Sequence, residues 1–356
     1  MAALPTAKGV ALLWGRTLLT RVVPLTMLLI ASACRTWGSG APEPHADVAM
    51  RRLPAPPGSI AEVAWLPEGR LYFDWAVDGG GESELWRMPA AGGAAQRMTF
   101  PDQPGCRKTD YLRPATLPDG RLGLIRLCLD PPNGDTGAVD PRTSRYLPLA
   151  ALGPLNPSAV TWRKDLRSGY LSRTSGSCAG IAPLTAAGPQ RWPTPAALDG
   201  RTWELDGYVR ARGPGYCTQW GRADLPVLSP DERWLYFVAS PDSMGIGGAV
   251  RREETLWRLY RWAQSGDRPT GQPEELASGL GKPLDLEISP DGRTLAFAGQ
   301  REGSYGLWRV DTTSRAVSRI ASGKYASVSF SPDTRQLAAV FQQDGDHCFL
   351  EMLNLV

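Results

Sequence analysis

Residues 283–323 read PLDLEISPDGRTLAFAGQREGSYGLWRVDTTSRAVSRIASG. At 284–288, three apolar residues alternate with Asp285 and Glu287, a period of two that is typical of a β-strand. The Ser-Pro-Asp-Gly sequence at 289–292 then has turn chemistry, because proline presets φ and glycine accepts a positive φ. Three more apolar runs follow, at residues 295–298, 307–310 and 316–320. Four short strands in about forty residues predict a repeating all-β unit.

The same pattern recurs along the chain. Leu-Trp-Arg occurs at residues 85–87, 256–258 and 307–309. A turn with an acidic residue follows an apolar run at six places. These residues, which we call the turn acids, are Glu68, Asp119, Asp165, Asp231, Asp291 and Asp333. Two of the gaps between them are long and contain Gly- and Pro-rich insertions such as residues 241–248, which read as loops. Six such turns predict six repeats.

The S-P-D-G-x-x-L-A-F pattern at 289–297, with its downstream L-W-R-V strand, resembles the TolB-like, WD40-like propeller repeat. The resemblance covers nearly all of the chain after residue 58. It implies an all-β, six-bladed β-propeller of four-stranded antiparallel blades, which would begin near residues 59, 110, 156, 222, 282 and 324. It does not imply a partner, because this architecture serves many unrelated functions.

The first 33 residues have the layout of a signal peptide: three basic residues, no acidic one, and an apolar run at 22–33. This run is short for a spanning helix, which needs roughly 20 residues. The small residues before Cys34 resemble a bacterial lipobox, which implies a lipid anchor with palmitate on Cys34. The alternative is an ordinary secretory signal that contains a cysteine. Residues 34–46 then read as a flexible tether.

Residues 47–53 resemble the fourth strand of a blade, whereas the last repeat, from residue 326, has sequence for only three strands. We therefore expect the early segment to pair with the C-terminal strands and close the ring, so that the propeller occupies residues 47–356. Closure removes exposed strand edges. The alternative is a disordered leader.

Charge excludes one class of partner. The chain has 39 Lys and Arg against 36 Asp and Glu, and loss of the three basic residues in the signal leaves 36 against 36. A neutral chain has no general electrostatic grip on nucleic acid or anionic membrane. Together with the signal peptide and Cys34, this charge balance predicts an exported protein on the extracytoplasmic face. It would be bound to the membrane only through its lipid.

Export allows disulfides. The economical pairings are Cys106–Cys128 and Cys178–Cys217, although connectivity does not follow from sequence. Cys348 then remains as a free, buried thiol. None of these cysteines has the spacing of zinc ligands, so no metal site is predicted.

No catalytic constellation is recognisable. Residues 176–180, Gly-Ser-Cys-Ala-Gly, superficially match a nucleophile elbow, but no helix pattern follows and Pro183 is near. The mature chain has only two histidines to act as a base, His45 and His347. We therefore predict no catalytic residue, no enzyme activity and no cofactor.

Polar residues recur nine positions before the turn acids. They are Ser59, Asp110, Asn156, Arg222, Lys282 and Lys324. In aligned repeats they would ring one mouth of the channel and favour an anionic ligand or a peptide carboxylate. The alternative is that they are polar because loops face water.

These patterns predict a non-catalytic envelope lipoprotein whose propeller binds a protein, peptide or glycan through loops at one face. The alternative is a lyase or hydrolase with its site in the channel mouth.

Replacing Cys34 with Ser tests the predicted anchor. Without the thiol that accepts the lipid, the protein should leave the membrane fraction and appear in the soluble one, measured by fractionation and immunoblotting. A C34S variant that remains membrane-bound with its signal uncleaved would contradict the lipobox.

Overall fold

The computed structural model describes residues 48–55, 58–76, 83–101, 103–130, 132–153, 157–173, 180–190, 222–240, 257–344 and 347–355. Within these ranges the chain forms strands and turns, without a helix that could span a membrane. The predicted signal, the tether with Cys34, and the insertion at 241–248 lie outside them.

The strands of the described residues form five antiparallel sheets. The first strand, β1 (Met50–Leu53), belongs to the last sheet. The first sheet contains β2 (Ser59–Leu66), β3 (Arg70–Ala76), β4 (Ser83–Pro89) and β5 (Gln96–Arg97). The second contains β6 (Thr109–Thr116), β7 (Leu122–Leu129), β8 (Pro132–Asp140) and β9 (Arg145–Gly153). The third contains β10 (Pro157–Trp162), β11 (Ser168–Arg173), β12 (Gly180–Thr185) and β13 (Gly188–Pro189).

The fourth sheet has nine strands. They are β14 (Arg222–Leu228), β15 (Trp234–Ser240), β16 (Trp257–Ser265), β17 (Arg268–Pro269), β18 (Glu274–Leu280), β19 (Asp285–Ile288), β20 (Thr294–Arg301), β21 (Ser304–Asp311) and β22 (Val317–Ser322). It consists of two four-stranded runs, β14-β15-β16-β18 and β19-β20-β21-β22, with β17 paired to β16. The two runs join through a single residue pair, Leu280 with Arg301.

The last sheet unites both ends of the described chain. Its order is β1, then β25 (His347–Asn354), β24 (Gln336–Asp344) and β23 (Tyr325–Phe330). Met50 pairs with Leu353 and Leu53 with Leu350, so the predicted closing segment supplies a strand beside the C-terminal residues. Its Asp47 lies outside the described residues.

A charged contact fastens this closing strand. Nε of Arg52 lies 3.0 Å from Oε1 of Glu351, whose side chain is fully buried. The hydroxyl of Tyr325 donates to the same carboxylate at 3.0 Å, and the Arg52 guanidinium lies 4.5 Å from the centre of the Phe349 ring. Burial raises the pKa of Glu351, while Arg52 opposes the rise.

Apolar side chains pack between successive sheets. Each of six clusters in the described residues contains side chains from two neighbouring sheets or runs. One joins Phe73 of the first sheet to Val340 of the last, which closes the circle. Trp257 and Trp308, at equivalent repeat positions, pack in one cluster. This circular packing of small four-stranded antiparallel units is the architecture of a β-propeller.

The turn acids accept hydrogen bonds within their own turns. Oδ1 of Asp291 accepts the hydroxyl of Ser289 at 2.6 Å and the N–H of Arg293 at 3.1 Å. Asp333 makes the same two bonds, at 2.7 and 3.1 Å. Each turn places a left-handed residue directly after the acid. Gly292 has φ 74°, whereas Thr334 has φ 64° at the matching position.

Thr334→Gly is expected to stabilise the protein. A left-handed conformation costs an L-residue roughly 1–2 kcal/mol, and glycine's larger loss of backbone entropy offsets part of the gain. We expect the free energy of unfolding to rise by about 1 kcal/mol in urea titrations. Thr313→Gly, in an exposed turn whose residue is not left-handed, is the matched control and should lower it. Equal effects of the two changes would refute the assignment of strain to Thr334.

Candidate functional site

A cavity of about 520 Å³ lies where the innermost strands meet. In the described chain its wall comes mainly from β2, β6, β10, β14, β19 and β23, with a few residues of β7 and β8. One end is bordered by the residues that precede the turn acids: Pro67, Pro118, Lys164, Pro230, Pro290 and Pro332. All but Pro230 are exposed. The cavity therefore reaches the surface on the side of the turns, which we call the turn face.

Each innermost strand has one unpaired edge. The strands β2, β6, β10, β14 and β23 end their sheets, and β19 pairs only with β20. A strand edge carries backbone N–H groups with no ladder partner, and such groups are costly to bury unsatisfied. Side chains of the adjacent innermost strand must therefore supply the acceptors.

The acceptors sit at two register positions, six and four residues before each turn acid, which we call minus six and minus four. Asp285, at minus six, accepts the N–H of Val328 at 2.9 Å. Glu287, at minus four, accepts the N–H of Phe330 at 2.7 Å. Both bonds cross from β19 to β23, the next innermost strand along the chain.

The same register continues from β23 to β2. Ser327, at minus six, accepts the N–H of Val63 at 3.2 Å, and Ser329, at minus four, accepts that of Trp65 at 2.9 Å. Farther round the cavity, Thr161 at minus four accepts the N–H of Leu228 at 3.3 Å. In each of these cases a side chain at minus six or minus four accepts a backbone N–H of the next innermost strand.

The two serines also relay hydrogen bonds. Ser327 donates to Asp285 at 2.7 Å, and Ser329 donates to Glu287 at 3.1 Å. Burial raises the pKa of both carboxyls; for Glu287 the nearby Asp285 adds to the shift, and for Asp285 the donated hydrogen bonds oppose it. Each carboxylate thus accepts both a hydroxyl and an amide of β23.

Glu62 departs from this rule. It occupies minus six on β2, but the receiving position on β6 is Pro114, which has no N–H. The chain contains a second case. Pro226 of β14 occupies the position whose N–H would donate, and the minus-six residue of β10 that faces it is Ala159. Alanine suffices there because no amide needs an acceptor. Glu62 is therefore a carboxylate that the backbone does not require.

Glu62 pairs instead with Arg113. A guanidinium nitrogen of Arg113 donates to Oε1 of Glu62, and both side chains are about one-fifth exposed, at 21% each. Arg113 lies at a bulge of β6 with φ 56°, a conformation that Leu225 shares at the equivalent bulge of β14, with φ 52°. Burial raises the pKa of Glu62 to about 8, against the opposing charge of Arg113 and with a contribution from Asp74.

Asp74 supports the bulge that carries Glu62. From β3 it accepts the N–H groups of Glu62 at 2.6 Å and Ala61 at 3.3 Å, which the bulge removes from the ladder. Burial raises its pKa to about 6, and the two amide bonds oppose that rise.

A second charged cluster lies at β10 and β14. Asp224 accepts the hydroxyl of Ser158 at 2.5 Å, and its Oδ2 lies 3.5 Å from Nζ of Lys282. Burial opposes ionisation, but Lys282 and the hydroxyls of Ser158 and Ser172 outweigh it and lower the pKa of Asp224.

The predicted polar ring lies away from this cavity. None of its described members borders the cavity wall. Lys282 is paired with Asp224, and Nζ of Lys324 lies 5.9 Å from the centre of the Tyr305 ring. Asp110 is buried, Ser59 and Arg222 begin β2 and β14, and Asn156 lies outside the described residues. A ligand role for the ring stays a prediction.

One of the predicted disulfides is present, and Cys348 differs from its prediction. Cys106 and Cys128 are bonded, with 5.6 Å between their Cα atoms. Cys348 is disulfide-bonded, so the prediction of a free thiol there is wrong. The sequence gives no distances between cysteines in space. Pairing the cysteines that are near each other in the sequence therefore left Cys348 without a partner. Cys178 and Cys217 lie outside the described residues.

Sequence reasoning missed the Glu62–Arg113 pair. Glu62 and Arg113 stand at the same offset before consecutive turn acids, and Pro114 is the sequence signal that Glu62 has no amide to accept from. The described residues contain no cluster of three His, Cys, Asp or Glu side chains that could hold a metal.

No protein family matches the chain, and no curated protein resembles it in sequence. Several solved structures share its fold. An oligogalacturonate lyase from Vibrio parahaemolyticus is 11% identical with a TM-score of 0.52, covering 88% of this chain and 96% of that one. A gluconolactonase from Xanthomonas campestris is 12% identical with a TM-score of 0.52, covering 90% and 99%.

TolB from Acinetobacter baumannii is 15% identical with a TM-score of 0.49, covering 83% of this chain and 63% of that one. This chain thus spans less than two-thirds of TolB. At sequence identities this low, the similarity to these structures shows only that the fold is shared. The fold defines the class: this protein is an all-β propeller with a central cavity.

Ser327→Ala tests the links between innermost strands. The change leaves the buried N–H of Val63 without its acceptor and removes a donor from Asp285, and an unsatisfied buried group costs about 1–3 kcal/mol. We expect urea titration to show a loss of that size. Ser304→Ala, at an exposed serine, is the control and should change stability little. Equal stability of the two variants would show that the links are dispensable.

Proposed function

We propose that this protein is a six-bladed, non-catalytic binding propeller, exported and anchored by lipid on Cys34, that captures an envelope protein or glycan at the turn face. The count of six is supported by the innermost strands around the cavity, with the nine-stranded sheet taken as two blades. The six apolar clusters, one between each pair of neighbours, agree with it.

One observation carries the proposal of binding rather than catalysis. The cavity opens on the turn face, and Asp285 and Glu287, two acids on its wall, accept hydrogen bonds from amides and hydroxyls of β23. Catalytic carboxylates need free oxygens positioned at the reacting group. These acids instead hold the wall of the channel.

The turn face suits the docking of a large partner. Four exposed prolines and Lys164 border its opening. Proline side chains carry little rotamer entropy, so a surface built from them loses little freedom on binding. The prolines are apolar, and each is followed directly by an exposed turn acid, so a partner would meet apolar contacts beside a set of charges.

A second candidate function rests on Glu62. Its raised pKa, near 8, and its neighbour Arg113 are features of a general acid, so a lyase or hydrolase site in the channel is the alternative. Under this alternative, Glu62→Gln abolishes turnover of a substrate while leaving the fold intact.

The double variant P290K/P332K tests docking at the turn face. Lysine already occupies the equivalent position at residue 164, so the fold should tolerate it, which a melting curve checks. The purified mature protein is immobilised and partners are captured from envelope extracts and identified by mass spectrometry. Affinity for the recovered partner should fall at least tenfold, about 1.4 kcal/mol.

Lys324→Ala is the matched control and should leave this affinity unchanged. If Lys324→Ala weakens capture and P290K/P332K does not, the partner binds at the predicted polar ring instead. If no partner is recovered specifically, the binding function is contradicted.

A further inference from the structure

The inference begins with the charges that the innermost strands bring to the cavity. Each of these strands contributes a minus-six and a minus-four side chain, and all of them border the cavity. Among these side chains the acids are Glu62, Asp285 and Glu287, the base is Arg113, and the rest are uncharged. The two register positions therefore give the channel an excess of negative charge.

The remaining charges of the described wall do not remove this excess. They are Lys164 and Glu232, which stand beside the turns, have opposite signs and are joined by a bond from the backbone N–H of Lys164 to the Glu232 carboxylate. Asp74, which accepts the N–H of Glu62 at 2.6 Å, adds another carboxyl close to the wall. The interior of the channel is thus short of positive charge.

Protons balance part of the negative charge near neutral pH. Burial raises the pKa of Glu62 to about 8; Asp74 and Asp285 add to the rise, whereas Arg113 opposes it. Burial and the charge of Asp285 also raise the pKa of Glu287. Because a nearby positive charge favours the ionised form of a carboxyl, a bound cation would take the place of a proton here.

Glu62 is the acid that is best placed to contact a ligand. It faces Pro114, so no backbone amide of β6 occupies its carboxylate, whereas Asp285 and Glu287 each accept an amide and a hydroxyl. Among the described residues, only Arg113 donates to the Glu62 side chain, and it does so to Oε1. The Glu62 side chain is 21% exposed and borders the cavity, so a ligand can reach it.

The wall across the channel from Glu62 is apolar. Its strand, β2, has β6 and β23 as neighbours, whereas β14 has β10 and β19, so β14 lies on the opposite side. Val227 of β14 and Ala159 of β10 border the cavity and are only partly buried. Removing apolar surface from water yields about 25 cal/mol per Å². This wall therefore favours an apolar body on the ligand.

Size and charge together narrow the class of ligand. A cavity of about 520 Å³ falls within the range of small-molecule sites, roughly 300–1,000 Å³. An anion would meet three acids on the wall, and an inorganic cation would leave the apolar side uncovered. An ammonium group on an apolar body matches both sides, because carboxylates in a concave site attract positive charge.

We propose that the channel binds a small organic cation, with its ammonium group beside Glu62 and its apolar body against β10 and β14. Asp285 and Glu287 add to the attraction through their charge. This site goes beyond the capture of a partner at the turn face and does not depend on it. Its residues differ from the prolines tested for docking, so either proposal can fail without the other.

Binding is measured by calorimetry on the purified mature protein. The probes are phenethylamine and hexylamine, which stay protonated in the tested range because alkylamines, like lysine, ionise near pH 10. The comparators are 2-phenylethanol, which is neutral, 3-phenylpropionate, which is an anion, and ammonium chloride, a cation without an apolar body. At least one amine should bind the wild type, and each comparator should bind about tenfold more weakly or not at all.

Glu62→Gln is the decisive variant. Glutamine has the shape of the protonated carboxyl and keeps an oxygen that accepts from Arg113, so we expect the variant to fold, as checked by its melting curve. At about pH 8.5 its affinity for the amine should fall about tenfold or more, and the difference should shrink toward pH 6, where wild-type Glu62 carries a proton. Glu302→Gln removes a negative charge from an exposed turn away from the cavity, and this control should bind as the wild type does.

The pH dependence of the wild type provides an independent arm, which decides if Glu62→Gln does not fold. The groups that face Glu62 are Arg113 of β6, Asp74 of β3 and Asp285 of β19, with the uncharged Ser327 on β23. Since the ionised carboxyl binds the cation, affinity should rise as the pH increases from about 6 to about 8. A tenfold preference for the ionised form releases about half a proton per ligand at about pH 7.5, which appears as a binding enthalpy that depends on the buffer.

Four results would overturn the proposal. In the first, no amine binds the wild type; in the second, a comparator binds as tightly as the amines do. The third is wild-type affinity in folded Glu62→Gln at about pH 8.5, and the fourth is an affinity of the wild type that does not rise with pH. Capture of a protein or glycan by the turn face is measured separately with P290K/P332K and is unaffected by these results.

Discussion

The hydrogen bonds between innermost strands are the constraint on which the rest of this structure depends. Each sheet ends at the channel with a backbone edge that no further strand can pair. The chain satisfies those edges with side chains at fixed register: Asp285 and Glu287 serve β23, and Ser327 and Ser329 serve β2. Because the acceptors come from the neighbouring sheet, this arrangement ties the sheets together as it satisfies their edges.

Closure of the circle uses both apolar and polar contacts. Phe73 and Val340 pack in the cluster that joins the first sheet to the last, and β1 adds its strand to the C-terminal sheet. Glu351 is fully buried at that junction and receives both Arg52 and Tyr325. A buried carboxylate with specific donors penalises any other partner strand, since misplacement would leave the charge unpaired.

Proline determines which side chains in the channel are needed as hydrogen-bond acceptors. Where proline occupies the receiving position, the preceding strand needs no acceptor, and the residue there is released from a structural role. At Ala159 the chain leaves the position apolar; at Glu62 it keeps an acid beside an arginine in a left-handed conformation.

The sequence alone determined the repeat, the strand content, the turn acids and the pairing expected of residues 47–53, because these depend on local periodicity and turn chemistry. It did not reveal that Lys282 pairs with Asp224, that Cys348 is bonded, or that the residues before the turn acids border the cavity. Those facts depend on distances between residues far apart in the chain. Only the tertiary structure, by bringing six separate strands to one axis, showed which of their polar side chains meet an amide and which, like Glu62, meet a proline.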